Sequence, residues 1–126
     1  KQESPAAPII AMISPPQDYE APLSDRMVKA EESDFLSRLM FMQQMHKTYA
    51  GTSTACTGVA ARIPGTIVHE ACRAETRAGM LVRIGPPAGV IETEAQVDLV
   101  GNDYMVKRAT LGRTARRILE GRVYAP

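Results

Sequence analysis

The sequence has no tryptophan and only two phenylalanines among its 126 residues, which excludes a core built on large rings. Aliphatic and methionine side chains have to fill the interior, and seven methionines are present. There are two cysteines, Cys56 and Cys72, too few for a disulfide framework. They read as small buried hydrophobes in a reduced, cytoplasmic protein. Together with His69 they supply too few ligands at too wide a spacing for zinc, so no metal is expected. Charge of one sign is missing as well. A net charge of +1 offers no electrostatic reason to expect nucleic acid or an anionic membrane as partner. No hydrophobic run approaches the length of a transmembrane helix, and no signal peptide, repeat or low-complexity stretch is visible. The first residue is Lys1 rather than methionine, which points to a processed product, a fragment or an edited chain.

What is present suits one globular unit. Apolar residues make up 44% and charged residues 23%, enough for a modest single core. Residues 1–8 are polar with two prolines and read as a tail or linker, leaving 9–126 as the domain. The apolar run from Ile9 to Ile13, stopped by Ser14-Pro15-Pro16, reads as a buried strand. A helical turn is expected around Val28 to Glu32. From Asp34 to Met45 the local pattern prefers a helix, with Asp34 as cap and Phe35, Leu36, Leu39 and Met40 as its stripe. The same stretch also fits a strand buried on both faces.

A second kind of helix is predicted from Ala50 to Ala61. It opens with Gly51-Thr52-Ser53-Thr54, continues with small apolar residues, and stops at Ile63-Pro64-Gly65. Small residues on nearly all sides predict a helix surrounded by protein. The period then changes to that of strands, at residues 66–69, 80–84, 90–99 and 104–111, with turn signals between most of them. Ile91, Thr93, Ala95, Val97 and Leu99 alternate with Glu92, Glu94, Gln96 and Asp98, which predicts a half-exposed antiparallel strand. Residues 113–124 close the chain as a further strand or short helix. The expected class is α+β, a curved, mostly antiparallel sheet wrapped around one central helix.

The start of that helix is the strongest chemical feature. Free backbone N–H groups, hydroxyls and the positive end of the helix dipole together suit a carboxylate or phosphate. The structural alternative is that Thr52 or Ser53 merely caps the helix. His46-Lys47 adds cationic donors upstream. Cys56 lies about a turn inside the helix, so a packed thiol is expected there rather than a nucleophile. His69 reads as a solvent-facing strand residue. The basic residues Lys107, Arg108, Arg113, Arg116, Arg117 and Arg122 lack interleaved aromatics, and read as a solvated face or domain-contact surface.

The stretch from Met42-Gln43-Gln44-Met45-His46-Lys47-Thr48-Tyr49-Ala50-Gly51-Thr52 through Cys56-Thr57-Gly58-Val59-Ala60-Ala61-Arg62-Ile63-Pro64-Gly65-Thr66 resembles the signature of the PrpF (2-methylaconitate cis–trans isomerase) family. Ile10-Ala11-Met12-Ile13-Ser14-Pro15-Pro16, Arg83-Ile84-Gly85 and the basic C-terminal segment agree in order. The resemblance covers nearly all of this chain but about the last third of a typical family member. It implies the diaminopimelate-epimerase-like fold, with the central helix running from about Thr52 to Arg62 and its start facing the ligand. It also turns residues 35–42 from helix to strand. The chemistry implied is a cofactor-independent proton and double-bond shift on an aconitate-like polycarboxylate. Gly51, Thr52, Ser53, Met42 and Lys47 are the implied substrate-binding residues. The implied catalytic Lys and Cys belong to an N-terminal half, the implied partner of this chain, so no catalytic residue is expected here. A homodimer is compatible with this arrangement.

Phe41, Ser53, Pro86 and Ala88 depart from the family pattern, which carries Ser, Gly, His and Ser there. Several of these positions are expected to face the substrate cleft. Two alternatives stay open, a keto–enol tautomerase of the 4-oxalomesaconate type and a non-catalytic relative that binds an anion or a partner.

Overall fold

The computed structural model describes residues 7–125; the expected tail at 1–8 lies largely outside them. Strand β1 (Ile10–Ser14) is followed by a small hairpin, β2 (Tyr19–Ala21) and β3 (Arg26–Val28). A 3-10 turn at Ala30–Glu32 then leads into β4 (Phe35–Phe41) and the short β5 (Gln44–Met45). Helix α1 (Gly51–Ala60), helix α2 (Ile67–Ala71) and a 3-10 turn at Ala74–Thr76 come next, and β6 (Leu81–Gly85), β7 (Ile91–Val100) and β8 (Asp103–Ala109) complete the elements. The main sheet runs β1-β4-β6-β7-β8, with β5 paired to β4. Every pairing is antiparallel except β4 with β6, where Phe35 faces Ile84 and Leu36 faces Gly85. The expected α+β class, a mostly antiparallel sheet packed on α1, is the one observed.

Residues 35–41 form a strand, not the helix that local pattern prefers. Phe35, Leu36, Ser37 and Leu39 are all buried, so both faces of β4 are covered. A strand buried on both faces carries no period-two alternation, and its continuous apolar run mimics a helical stripe. Asp34 does not cap a helix; its carboxylate accepts from the Arg83 backbone N–H at 2.8 Å and from Arg83 Nη2 at 2.9 Å.

The core gathers Phe35, Leu39, Tyr49, Ala61, Cys72, Val82 and Ile84. Helix α1 lies flush on β7 because Gly58 has no side chain. A Cβ there would stand 2.8 Å from Thr93 Cγ2. The expected alternation of β7 holds in its first half, where Thr93 and Ala95 are buried and Glu92 is exposed. Beyond a register shift at Gln96/Val97 the β7–β8 hairpin runs into solvent, and β8 is exposed along its length.

Four further expectations are corrected. Among the described residues β1 is an edge strand paired only with β4, so Ile10 and Met12 are exposed rather than buried. Residues 66–69 open a helix, because the Thr66 hydroxyl caps it by accepting from His69 N–H at 3.1 Å. Helix α1 is covered on one side only, with Thr52 and Cys56 exposed on the other. Residues 113–124 form neither strand nor helix, since among the described residues no strand lies beyond β8 to pair with them.

Candidate active site

The approach to α1 is held from below by hydroxyls. Tyr49 Oη lies 2.7 Å from Ser37 Oγ on β4 and 3.1 Å from Thr57 Oγ1 inside the helix. Tyr49 itself is buried. This chain of hydroxyls ties the loop before the helix to the sheet and to the helix's second turn, which fixes where the helix begins. A fully satisfied buried network of this kind rigidifies its surroundings.

The helix start is open. Its N-cap is Ala50, which has no side-chain acceptor to offer. Neither Thr52 nor Ser53 is the cap. Thr54 is turned back into the helix, where its hydroxyl donates to Ala50 O at 3.0 Å. The N–H groups of Gly51, Thr52 and Ser53 belong to the first turn, which has no partners within the helix, and they carry the positive end of the dipole.

A cavity of about 650 Å³ opens beside this start. Thr48, Tyr49, Gly51 and Thr54 line one side, Ile91 and Glu92 of β7 another, and Leu111, Gly112, Arg113 and Thr114 close it. Arg113 lies against the helix start, since a Cβ on Gly51 would stand 2.7 Å from Arg113 Nη2. A guanidinium beside a helix N-terminus puts like charges together, and an anion between them relieves that repulsion. Arg113 is therefore a candidate site residue that sequence reading placed only in a basic cluster. No local signal could have singled it out, because the β7–β8 hairpin brings it back across more than fifty residues.

The other expected site residues separate into two smaller hollows. Thr52 and Ser53 line one of about 310 Å³ with Ile9, Ala11, Leu39, Cys56 and Thr57. Met42 and Lys47 line another, of about 470 Å³, with Phe41, Gln44, Met45 and His46. The turn joining β4 to β5 holds both Met42 (φ 51°) and Gln43 (φ 63°) in the left-handed region. That conformation suits Asn-Gly far better than Met-Gln. Of the five implied residues, only Gly51 borders the large cavity.

Two sequence expectations for reactive groups change. Cys56 is exposed rather than packed. Cys72 is buried as expected, and burial, reinforced by the charge of Asp34, pushes its thiol up to about 11. His69 sits on α2 with Nδ1 3.0 Å from Ala61 O, so its ring packs back on the chain instead of facing solvent from a strand. Pro86 is fully buried, with Tyr19 Oη donating to its carbonyl at 2.9 Å, and borders none of the three cavities. Among the described residues no group of three His, Cys, Asp or Glu side chains could hold a metal ion, and no helix is long and apolar enough to cross a membrane.

Fold and site together define an α+β module that presents an uncapped helix start, flanked by a guanidinium, to a cavity. The chain belongs to the PrpF family, whose model, described as PrpF protein, matches residues 1–126. It is 52% identical over 123 residues to a 3-methylitaconate isomerase of Eubacterium barkeri, covering 98% of this chain and 31% of that protein. It is 36% identical over 119 residues to a 2-methyl-aconitate isomerase of Shewanella oneidensis, covering 94% of this chain and 29% of that protein. A crystal structure of methylitaconate-delta-isomerase superposes with a TM-score of 0.81 at 51% identity, covering 95% of this chain and 30% of that one. The chain thus spans just under a third of the length of the relatives it matches.

Proposed function

We propose that this chain is the carboxylate-binding part of a longer, cofactor-independent cytoplasmic isomerase that shifts a proton and a double bond in an itaconate- or aconitate-like acid. The observation that carries this reading is the 52% identity, over nearly the whole chain, to a protein named 3-methylitaconate isomerase. In such a reaction one group removes a proton beside a carboxylate, and the resulting dienolate-like charge spreads onto the carboxylate oxygens. Fixed N–H donors aimed at those oxygens stabilise that charge without reorganising. Of the first-turn N–H groups, that of Gly51 borders the large cavity and would hold one carboxylate there, with Arg113 bracing it. The base would come from the length that this chain lacks.

Arg113→Ala in the complete enzyme should lower kcat/KM about 10- to 100-fold, as expected for losing charge-assisted hydrogen bonds to a carboxylate. Arg113→Lys should recover part of the loss. An alanine variant with unchanged kcat/KM would remove Arg113 from the site.

The hollow formed by Phe41, Met42 and Met45 beside Lys47 offers an apolar wall next to a cation. The complete enzyme should therefore prefer an acid bearing a methyl substituent over plain trans-aconitate. An advantage of about 1–3 kcal/mol, the scale of one unmade polar contact, corresponds to roughly 5- to 150-fold in kcat/KM. Steady-state kinetics on both acids decide the point, and equal or better turnover of trans-aconitate would sink it. A protein that binds these acids without turning over any of them would be the non-catalytic relative.

A further inference from the structure

The connection from β6 to β7 is buried, whereas most loops run over the surface. Gly85, Pro86, Pro87 and Gly89 are all shielded from solvent, and the next residues, Val90, Ile91 and Glu92, form one wall of the large cavity. A buried loop has to satisfy its backbone polar groups inside the protein. Here the need falls on carbonyls, because Pro86 and Pro87 have no N–H to donate. Within the turn, Gly89 N–H donates to Pro86 O at 3.2 Å. Two side chains from distant elements hold the rest. Arg38 Nη1, on β4, donates to Gly85 O at 2.8 Å and to Ser37 O at 3.0 Å. Tyr19 Oη, on β2, donates to Pro86 O at 2.9 Å and to Gly89 O, so one phenolic proton serves both ends of the turn. The Arg38 guanidinium lies 5.0 Å from the centre of the Tyr19 ring, so the two side chains also brace each other. The fit is close, since a Cβ on Gly85 would stand 3.3 Å from Tyr19 Oη and 2.6 Å from Leu36 Cδ2.

We propose that Tyr19 and Arg38 are positioning residues for the reaction, clamping residues 85–89 so that Val90 and Ile91 keep the cavity wall in place; this rests on the reading that the cavity holds the substrate. Adjacent residues of β4 then serve opposite walls. Ser37 fixes the helix side, its Oγ 2.7 Å from Tyr49 Oη, and Arg38 fixes the β7 side through the loop and Tyr19. The hairpin that carries Tyr19 is itself anchored, because the Asp18 carboxylate accepts from Ala30 N–H at 2.9 Å and from Lys29 Nζ at 2.8 Å. Neither Tyr19 nor Arg38 borders the cavity, so both act through the residues they hold. The wall made by Val90 and Ile91 is apolar and meets ground state and transition state alike, whereas the developing charge falls beside Gly51 and Arg113. Loosening that wall weakens binding and spares the chemical step.

The test is Tyr19→Phe in the complete protein that contains this chain, which keeps the ring over Arg38 and removes only the hydroxyl. KM for methylitaconate should rise about 5- to 10-fold, the scale of one net hydrogen bond, with kcat changed by less than about twofold. Hydrogen–deuterium exchange at the amides of residues 88–91 should quicken roughly 10-fold while β4 and α1 keep their rates. A merely structural role would shrink the active fraction, which lowers apparent kcat and leaves KM alone, and that result overturns the proposal. So does unchanged exchange at residues 88–91. If Tyr19→Phe loses protection throughout, Arg38→Lys, which keeps the cation and loses the planar fork, is read by the same two measurements. Arg113→Ala separates the two readings. An unchanged kcat/KM in that variant takes the substrate out of the cavity, whereas a loss there with no effect of Tyr19→Phe on KM removes the positioning role alone. A wild-type protein inactive on all of these acids removes the function, and exchange at residues 88–91 then decides whether the clamp exists.

Discussion

Residues 1–126, purified alone, should exchange no proton of aconitate or methylitaconate with deuterated water, whereas a protein of its relatives' full length should. This is an all-or-none effect, and it follows from the groups available. Cys72 is buried and its thiol is pushed up to about 11, so it stays protonated at neutral pH and has no path to substrate. His69 is held against the Ala61 carbonyl on α2. Cys56 is exposed on the far side of α1 from the large cavity and lies in the helix's second turn, where the dipole helps its thiolate little. What remains is the proposed anion seat at the start of α1, which would stabilise charge but cannot take a proton. NMR of the substrate during incubation makes the measurement. Exchange by the fragment alone would show that Lys47 or Cys56 supplies the base, and would move catalysis into this chain.

Asp34→Ala should cost the folded protein about 3–5 kcal/mol, the range for removing one partner of a buried ion pair. The Asp34 side chain is only 2% exposed. It accepts from the backbone and side chain of Arg83, at 2.8 and 2.9 Å, and Arg73 Nη2 approaches to 3.6 Å. Its own backbone N–H donates to Arg83 O at 2.7 Å, and its carbonyl accepts from Arg73 N–H at 3.2 Å. One residue therefore joins the entrance of β4, the middle of β6 and the loop after α2. Truncation leaves two guanidiniums without their carboxylate and an Arg83 amide without its acceptor. Arg83→Ala should cost less, because that guanidinium is 27% exposed and solvent can replace part of what is lost. Urea titration of the complete protein gives both values, and a loss below about 1 kcal/mol for Asp34→Ala would mean the cluster holds nothing together.

The opposite treatment of two apolar runs shows why some of this fold was legible in the residues and some was not. The run from Phe35 to Met40 was ambiguous because burial on both faces erases the period that distinguishes strand from helix. Family resemblance resolved it where local pattern could not. The run from Ile9 to Ile13 has the pattern of a buried strand; the strand forms, at Ile10–Ser14, but its first half is exposed, since a strand's exposure depends on how many neighbours the sheet gives it. Thr66 looked like the start of a strand because β-branched residues follow it, yet its hydroxyl reaches His69 N–H and caps a short helix.

The small-residue helix, its Gly-Thr-Ser-Thr opening, the alternation of β7 and the turn at Gly101 were determined by the sequence alone. Each is a short-range pattern whose physics acts within a few residues. The tertiary structure decided what surrounds them. It put alanine rather than a hydroxyl at the N-cap and set Tyr49 between Ser37 and Thr57. It also spread the five implied binding residues over three hollows and carried Arg113 from a basic cluster to the first turn of α1. These are contacts between residues far apart in the chain, set by sheet register and by the close approach that Gly58 permits, and no local pattern encodes them.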